Sequence, residues 1–77
     1  MFVNVYTPES TRSFEASAVF LPGSVAPFEV LPGHAPLIST LEAGELRWRG
    51  ADGEESLSVR GGVVRVEADH IEICVEV

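Results

Sequence analysis

Any chemistry in this chain has to run through very few side chains. His34 stands in the run Leu31-Pro32-Gly33-His34-Ala35-Pro36, placed like a general base or an interface contact. General-base work needs an activated nucleophile or an orienting carboxylate beside the imidazole. The flanking sequence supplies neither, so the plainer reading is a turn histidine whose ring bonds a nearby carbonyl. Cys74 lies between Glu72 and Glu76. Neighbouring anions suppress the thiolate, the reverse of what a nucleophile needs. His70 follows Asp69 at a turn and reads as solvated. Glu54-Glu55 is a carboxylate pair, yet glycoside chemistry requires a cleft for which a domain this small has little room. A charged edge that discourages strand pairing is the simpler role. Gly61-Gly62 is too poor in glycine to cradle a phosphate, and no helix follows it. Neither histidine has a second ligand at zinc spacing. The expected list of catalytic residues, metals and cofactors is empty.

Whole-chain quantities narrow the classes further. At 77 residues the chain is expected to form one domain, 1–77, burying only about 60–65% of its unfolded surface. Cys74 is the single cysteine, so no internal disulfide adds stability, and a partner protein is the remaining source. Twelve acids against five bases leave a net charge of −7. That balance argues against nucleic acid and against anionic lipid. All five bases are arginine. Without lysine, Schiff-base chemistry and lipoyl or biotinyl attachment are excluded, and with them a swinging-arm carrier domain. No apolar run approaches the ~18 residues of a membrane span, and the N-terminus lacks a basic signal region. The chain reads as cytoplasmic and soluble.

The elements that must position these residues are strands. Phe2 to Thr7 alternates, with Val3 and Val5 on one face and Phe2, Asn4 and Tyr6 on the other. That second face is either a core surface or a contact surface. Glu9 to Ser13 reads as a polar loop. Phe14 to Leu21 is one extended run with Phe14, Ala16, Ala18 and Phe20 together, changing faces midway. Pro22-Gly23 and the Leu31–Pro36 run make a rigid double turn, anchored by Leu21, Phe28, Val30 and Leu37. The turn Ser24–Phe28 is mostly apolar where turns are normally polar. Either Phe28 folds inward or the turn packs on a partner, and the partner is favoured. Leu37–Leu41 follows, then Glu45–Arg49 with Leu46 and Trp48 inward, an Asp52-Gly53 hairpin, and Leu57 and Val59 on the returning strand. Val64, Val66 and Ala68 point inward on the next strand; Ile71, Ile73, Val75 and Val77 share the inner face of the last. This pattern predicts an all-β sandwich or flattened barrel.

The order Thr7-Pro8-Glu9, Leu21-Pro22-Gly23, then Phe28-x-Val30-Leu31-Pro32-Gly33-His34-Ala35-Pro36-Leu37 resembles the N-terminal domain of the ε subunit of rotary F-type ATP synthases. The resemblance continues through Gly44-x-Leu46-Arg47, Asp52-Gly53 and Gly61-Gly62-Val63-Val64-x-Val66. It implies a flattened β-sandwich of about ten short strands. It also implies a non-catalytic subunit of the central stalk, coupling proton-driven rotation of the c-ring to the γ subunit, peripheral at the cytoplasmic face of the bacterial inner membrane. The loop before the Pro-Gly-His turn, here Ser24, Val25, Ala26, Pro27, Phe28 and Glu29, would face the c-ring. His34, Ser39 and Thr7 would lie toward γ. Ala26, Pro27 and Glu29 stand where relatives usually carry glycines and an acid, which stiffens the loop. Many relatives continue into a pair of C-terminal helices; with Val77 ending a strand, no helical domain is expected here. The alternative is a small ligand-binding or enzymatic module using His34.

Overall fold

Alternation of apolar and polar residues becomes nine strands in a computed structural model that describes residues 1–77. They are β1 (Phe2–Tyr6), β2 (Thr11–Glu15), β3 (Ala18–Leu21), β4 (Phe28–Val30), β5 (Leu37–Leu41), β6 (Gly44–Gly50), β7 (Gly53–Val59), β8 (Gly61–Glu67) and β9 (His70–Glu76). One sheet has the order β2-β1-β9-β8-β5 and the other β4-β3-β6-β7. All neighbours are antiparallel except β1 and β9, where Val3 lies beside Ile71 and Val5 beside Ile73. The all-β sandwich expected from the sequence is therefore observed, with extents of 26 × 25 × 17 Å that make it flattened.

The two inner faces meet in a core without a buried polar or charged side chain. Val3, Val5, Val64, Ile71 and Ile73 contribute from the first sheet, and Val19, Val30, Leu46 and Trp48 from the second. Such a core stabilises by removing apolar surface from water, and it leaves register to the alternation alone. Backbone corners carry the chain between sheets. Ala16 N–H donates to Met1 O at 2.9 Å and the next amide, Ser17 N–H, donates to Arg49 O at 2.8 Å. Consecutive residues thus bond to opposite sheets.

That corner corrects the phase assigned to Phe14–Leu21. The run is two strands in different sheets, so Phe14 and Ala16 face the core while Phe20 turns outward and Val19 and Leu21 turn in. Thr11–Ser13, expected in a loop, forms most of β2, because β1 offers it a ladder from Phe2↔Glu15 to Tyr6↔Thr11. Ala68 was expected inward on β8; it is exposed in the turn between β8 and β9 with φ +52°. Val77 lies past the end of β9 and is 52% exposed instead of sharing its inner face. At Gly62 a Cβ would overlap the Cys74 carbonyl oxygen, so this glycine serves close strand packing.

Ala68 holds a left-handed backbone that costs a side-chain-bearing residue about 1 kcal/mol relative to glycine. Ala68→Gly is expected to raise stability by roughly 0.5–1 kcal/mol, read as a higher urea midpoint at unchanged slope.

Candidate docking surfaces

The Pro-Gly-His segment closes as a β-turn. His34 N–H donates to Leu31 O at 3.1 Å, with Pro32 and Gly33 at the central positions. Gly33 has φ +85°, the value that the third residue of a type II turn requires, and proline presets the second. The His34 ring nitrogen Nδ1 lies 2.7 Å from the Ala35 carbonyl. This is the turn histidine expected from the sequence, with its ring occupied by the adjacent backbone.

The Ser24–Glu29 stretch divides in two. Ser24–Pro27 forms the loop, while Phe28 and Glu29 already belong to β4. The base of the loop is clamped to β5: Ser24 N–H donates to Thr40 O at 3.0 Å, Thr40 Oγ1 donates to Ser24 Oγ at 2.9 Å, and Glu42 N–H donates to Pro22 O at 2.8 Å. Phe28 folds inward against the core and beneath Gly23, where a Cβ would come within 2.8 Å of its ring. The tip, Val25-Ala26-Pro27, stays exposed, and Val25 has its whole side chain in solvent. Phe28 thus takes the inward alternative, and an apolar tip remains beyond it.

Register places the two features at opposite ends. Leu37, just after the Pro-Gly-His turn, pairs with Val66, and Leu41, beside Gly23, pairs with Gly62. Thr7 follows Tyr6, whose neighbours across the sheet are Cys74, Val63 and Thr40. It therefore sits at the loop end, three strand spacings or roughly 14 Å from β5. There its hydroxyl accepts from Ser10 N–H at 3.1 Å in a tight turn. Ser39 is half-buried midway along β5, its Oγ donating to Thr40 O at 3.1 Å. His34, Ser39 and Thr7 do not form one cluster.

The two outer faces differ. On the β4-β3-β6-β7 sheet, Phe20 is covered by the guanidinium groups of Arg47 at 4.8 Å and Arg49 at 5.9 Å, and Arg47 pairs with Glu54 at 2.9 Å. On the other sheet Phe2, Tyr6, Val63 and Ile38 are exposed, so the second face of β1 is a surface, not a core. Ile38 and Val63 were missed in the sequence reading. Alternation could have found both: in Leu37–Leu41 and in Val63-Val64, one apolar residue must face out once its neighbour faces in. The Tyr6 phenol is held above the ordinary tyrosine range, chiefly by the neighbouring Glu72 carboxylate, with desolvation and Cys74 adding to it.

All of residues 1–77 match the family described as the ATP synthase Delta/Epsilon chain β-sandwich domain. The chain belongs to this family. Among curated δ/ε relatives, ATP synthase epsilon chain 2 of Syntrophotalea carbinolica is 41% identical over 64 residues, which is 83% of this chain and 46% of that protein. The ATP synthase epsilon chain of Wolinella succinogenes is 38% identical over 73 residues, 92% of this chain and 56% of its own length. The chain spans about half the length of the curated relatives it matches. Of solved structures, a chain of the central stalk/c-ring of Tetrahymena thermophila mitochondrial ATP synthase superposes with a TM-score of 0.86 at 22% identity, over 100% of this chain and 63% of the other. One from Euglena gracilis mitochondrial ATP synthase gives 0.87 at 17%, over 95% and 48%. At these identities the likeness is one of fold.

The single tyrosine makes its titration readable. The phenolate absorbance midpoint is expected above pH 10, the ordinary tyrosine value. Glu72→Gln removes the anion that disfavours phenolate and is expected to bring the midpoint down.

Proposed function

We propose that the chain is a non-catalytic subunit of the central stalk of a proton-translocating F-type ATP synthase, transmitting c-ring rotation to γ and so to ATP synthesis. The observation that carries this reading is the match of all 77 residues to the δ/ε β-sandwich family. The geometry supports it through stiffness. A coupling element between two partners has to resist deformation along the line that joins them. Here a Pro-Gly-fixed turn stands at one end, a loop clamped to β5 at the other, and hydrogen-bonded strands run between.

The apolar tip Val25-Ala26-Pro27 then faces the c-ring. A γ subunit that reaches both His34 and Thr7 runs along the outer face of the β2-β1-β9-β8-β5 sheet, where Phe2 and Tyr6 lie between them and supply apolar contact. Ser39 stands at the rim of that contact. The subunit works at the cytoplasmic face of the bacterial inner membrane, held there by its partners; no helix is long and apolar enough to cross a membrane. A ligand-binding or enzymatic role for His34 draws no support from the geometry. Its ring is bonded to Ala35, and it lines none of the three surface cavities.

Mixing the folded chain with purified cognate γ is expected to give a one-to-one complex by native mass spectrometry. Phe2→Ser with Tyr6→Ser, on the exposed face, should weaken that complex about tenfold, since aromatic residues are enriched among the few interface positions whose truncation costs more than about 1 kcal/mol. A folded chain that fails to bind γ would overturn the reading.

A further inference from the structure

Ser13, Asn4, Glu72, Arg65 and Ile38 stand in one row across the outer face of the β2-β1-β9-β8-β5 sheet, one residue from each strand. The two charges of this row do not meet. Arg65 and Glu72 lie directly opposite one another, yet the chain's ion pairs are Arg12–Glu55 and Arg47–Glu54. Glu72 leans toward β1, where Asn4 Nδ2 donates to its Oε1 at 3.4 Å, and its Oε2 has no hydrogen-bond partner. Arg65 leans the other way, toward β5, and lines a shallow cavity with Pro36 and Ile38.

The seam between β8 and β9 is therefore a line of unlike neighbours. Glu67 stands opposite His70 in the row on one side, and Val63 opposite Cys74 in the row on the other. A two-fold axis running along this seam lays a second copy face to face on the first and exchanges the two strands. It sets Arg65 of each copy over Glu72 of the other, and Glu67 over His70. Both charges lean outward from the seam, so the same rotation brings the displaced guanidinium over the displaced carboxylate. An axis along the strands also keeps the two sheets aligned, within the roughly 30° that face-to-face packing takes up. With extents of 26 × 25 Å, the face covered on both copies amounts to at most about 1,300 Å², the lower end of the standard class of stable interfaces.

We propose that, in the absence of γ, this face pairs with a second copy of the chain through reciprocal Arg65–Glu72 contacts across the β8–β9 seam. The rotation lays β1 of one copy over β5 of the other, so exposed Phe2, Tyr6 and Ile38 leave solvent together. The proposal goes beyond the rotor reading and does not rest on it. If γ takes the same face, the dimer keeps that face covered until γ displaces it.

The test is sedimentation equilibrium on the whole chain, where a dimer is expected to form at roughly 10–100 μM, as suits an interface of this size. Arg65→Glu and Glu72→Arg are each expected to weaken it at least tenfold. The net charge of −7 on each copy opposes association, and Glu72→Arg lowers it, so long-range charge alone would make that variant associate more strongly. Mixed in equal amounts, the two variants carry opposite charges on the seam and are expected to form a heterodimer, which also shows that both fold. A chain monomeric throughout that range, a dimer undiminished by either variant, or a stronger one with Glu72→Arg would overturn the proposal. So would two variants that stay monomeric on mixing while their circular dichroism matches the unaltered chain. Binding to γ is read separately by native mass spectrometry. A chain that binds γ but never dimerises overturns this proposal alone; one that dimerises but never binds γ leaves it standing and overturns the rotor reading.

Discussion

Trp48 closes the side of the sandwich that the strands leave open. It comes from β6, is 1% exposed, and stacks on Phe14 of β2 at 4.6 Å, so one contact ties the two sheets together where no backbone hydrogen bond can. Arg12 lies over the same ring at 5.1 Å and reaches Glu55 on β7 at 3.3 Å. That ion pair is exposed and contributes little by itself. Its value is positional, since it holds a guanidinium over the indole and puts charge on two edge strands that would otherwise invite pairing. Truncating a buried tryptophan costs about 3–5 kcal/mol, a large share of the stability available to a domain of this size.

Much of that was legible in the residues. Clean alternation in Glu45–Arg49 and Ile71–Val75 set Leu46, Trp48, Ile71, Ile73 and Val75 inward, and all five are buried. Proline and glycine marked both turns, and Asp52-Gly53 marked the hairpin, where Ala51-Asp52 form the turn and Gly53 follows at φ +108°. What local pattern could not carry was the assignment of strands to sheets. The corner at Ala16-Ser17 has no proline or glycine; it is defined by partners at Met1 and Arg49, distant in sequence. Phe20 shares its phase with Phe14 and Ala16 along the run, yet past the corner it faces outward, where two arginines that alternate outward on β6 cover it. Ala68 sat in phase with Val64 and Val66, and only the tight return to β9 forces it out.

The candidate docking residues show the same division. The stiffness of the His34 turn and of the Ser24–Pro27 loop could be read from Pro and Gly positions. Their placement at opposite ends depends on the register of β5 with β8, which is long-range. The arrangement gives the family resemblance a physical content: a short apolar core spans the distance between two rigid features, and the two outer faces differ, one carrying exposed Phe2, Tyr6, Ile38 and Val63 among its charges and the other a phenylalanine covered by arginines.

The direct measurement is ATP-driven proton pumping by the cognate complex stripped of its own subunit, with this chain added back. The account predicts that stoichiometric binding of the chain restores pumping for each ATP hydrolysed. Hydrolysis that stays uncoupled from pumping while the chain is bound would contradict it.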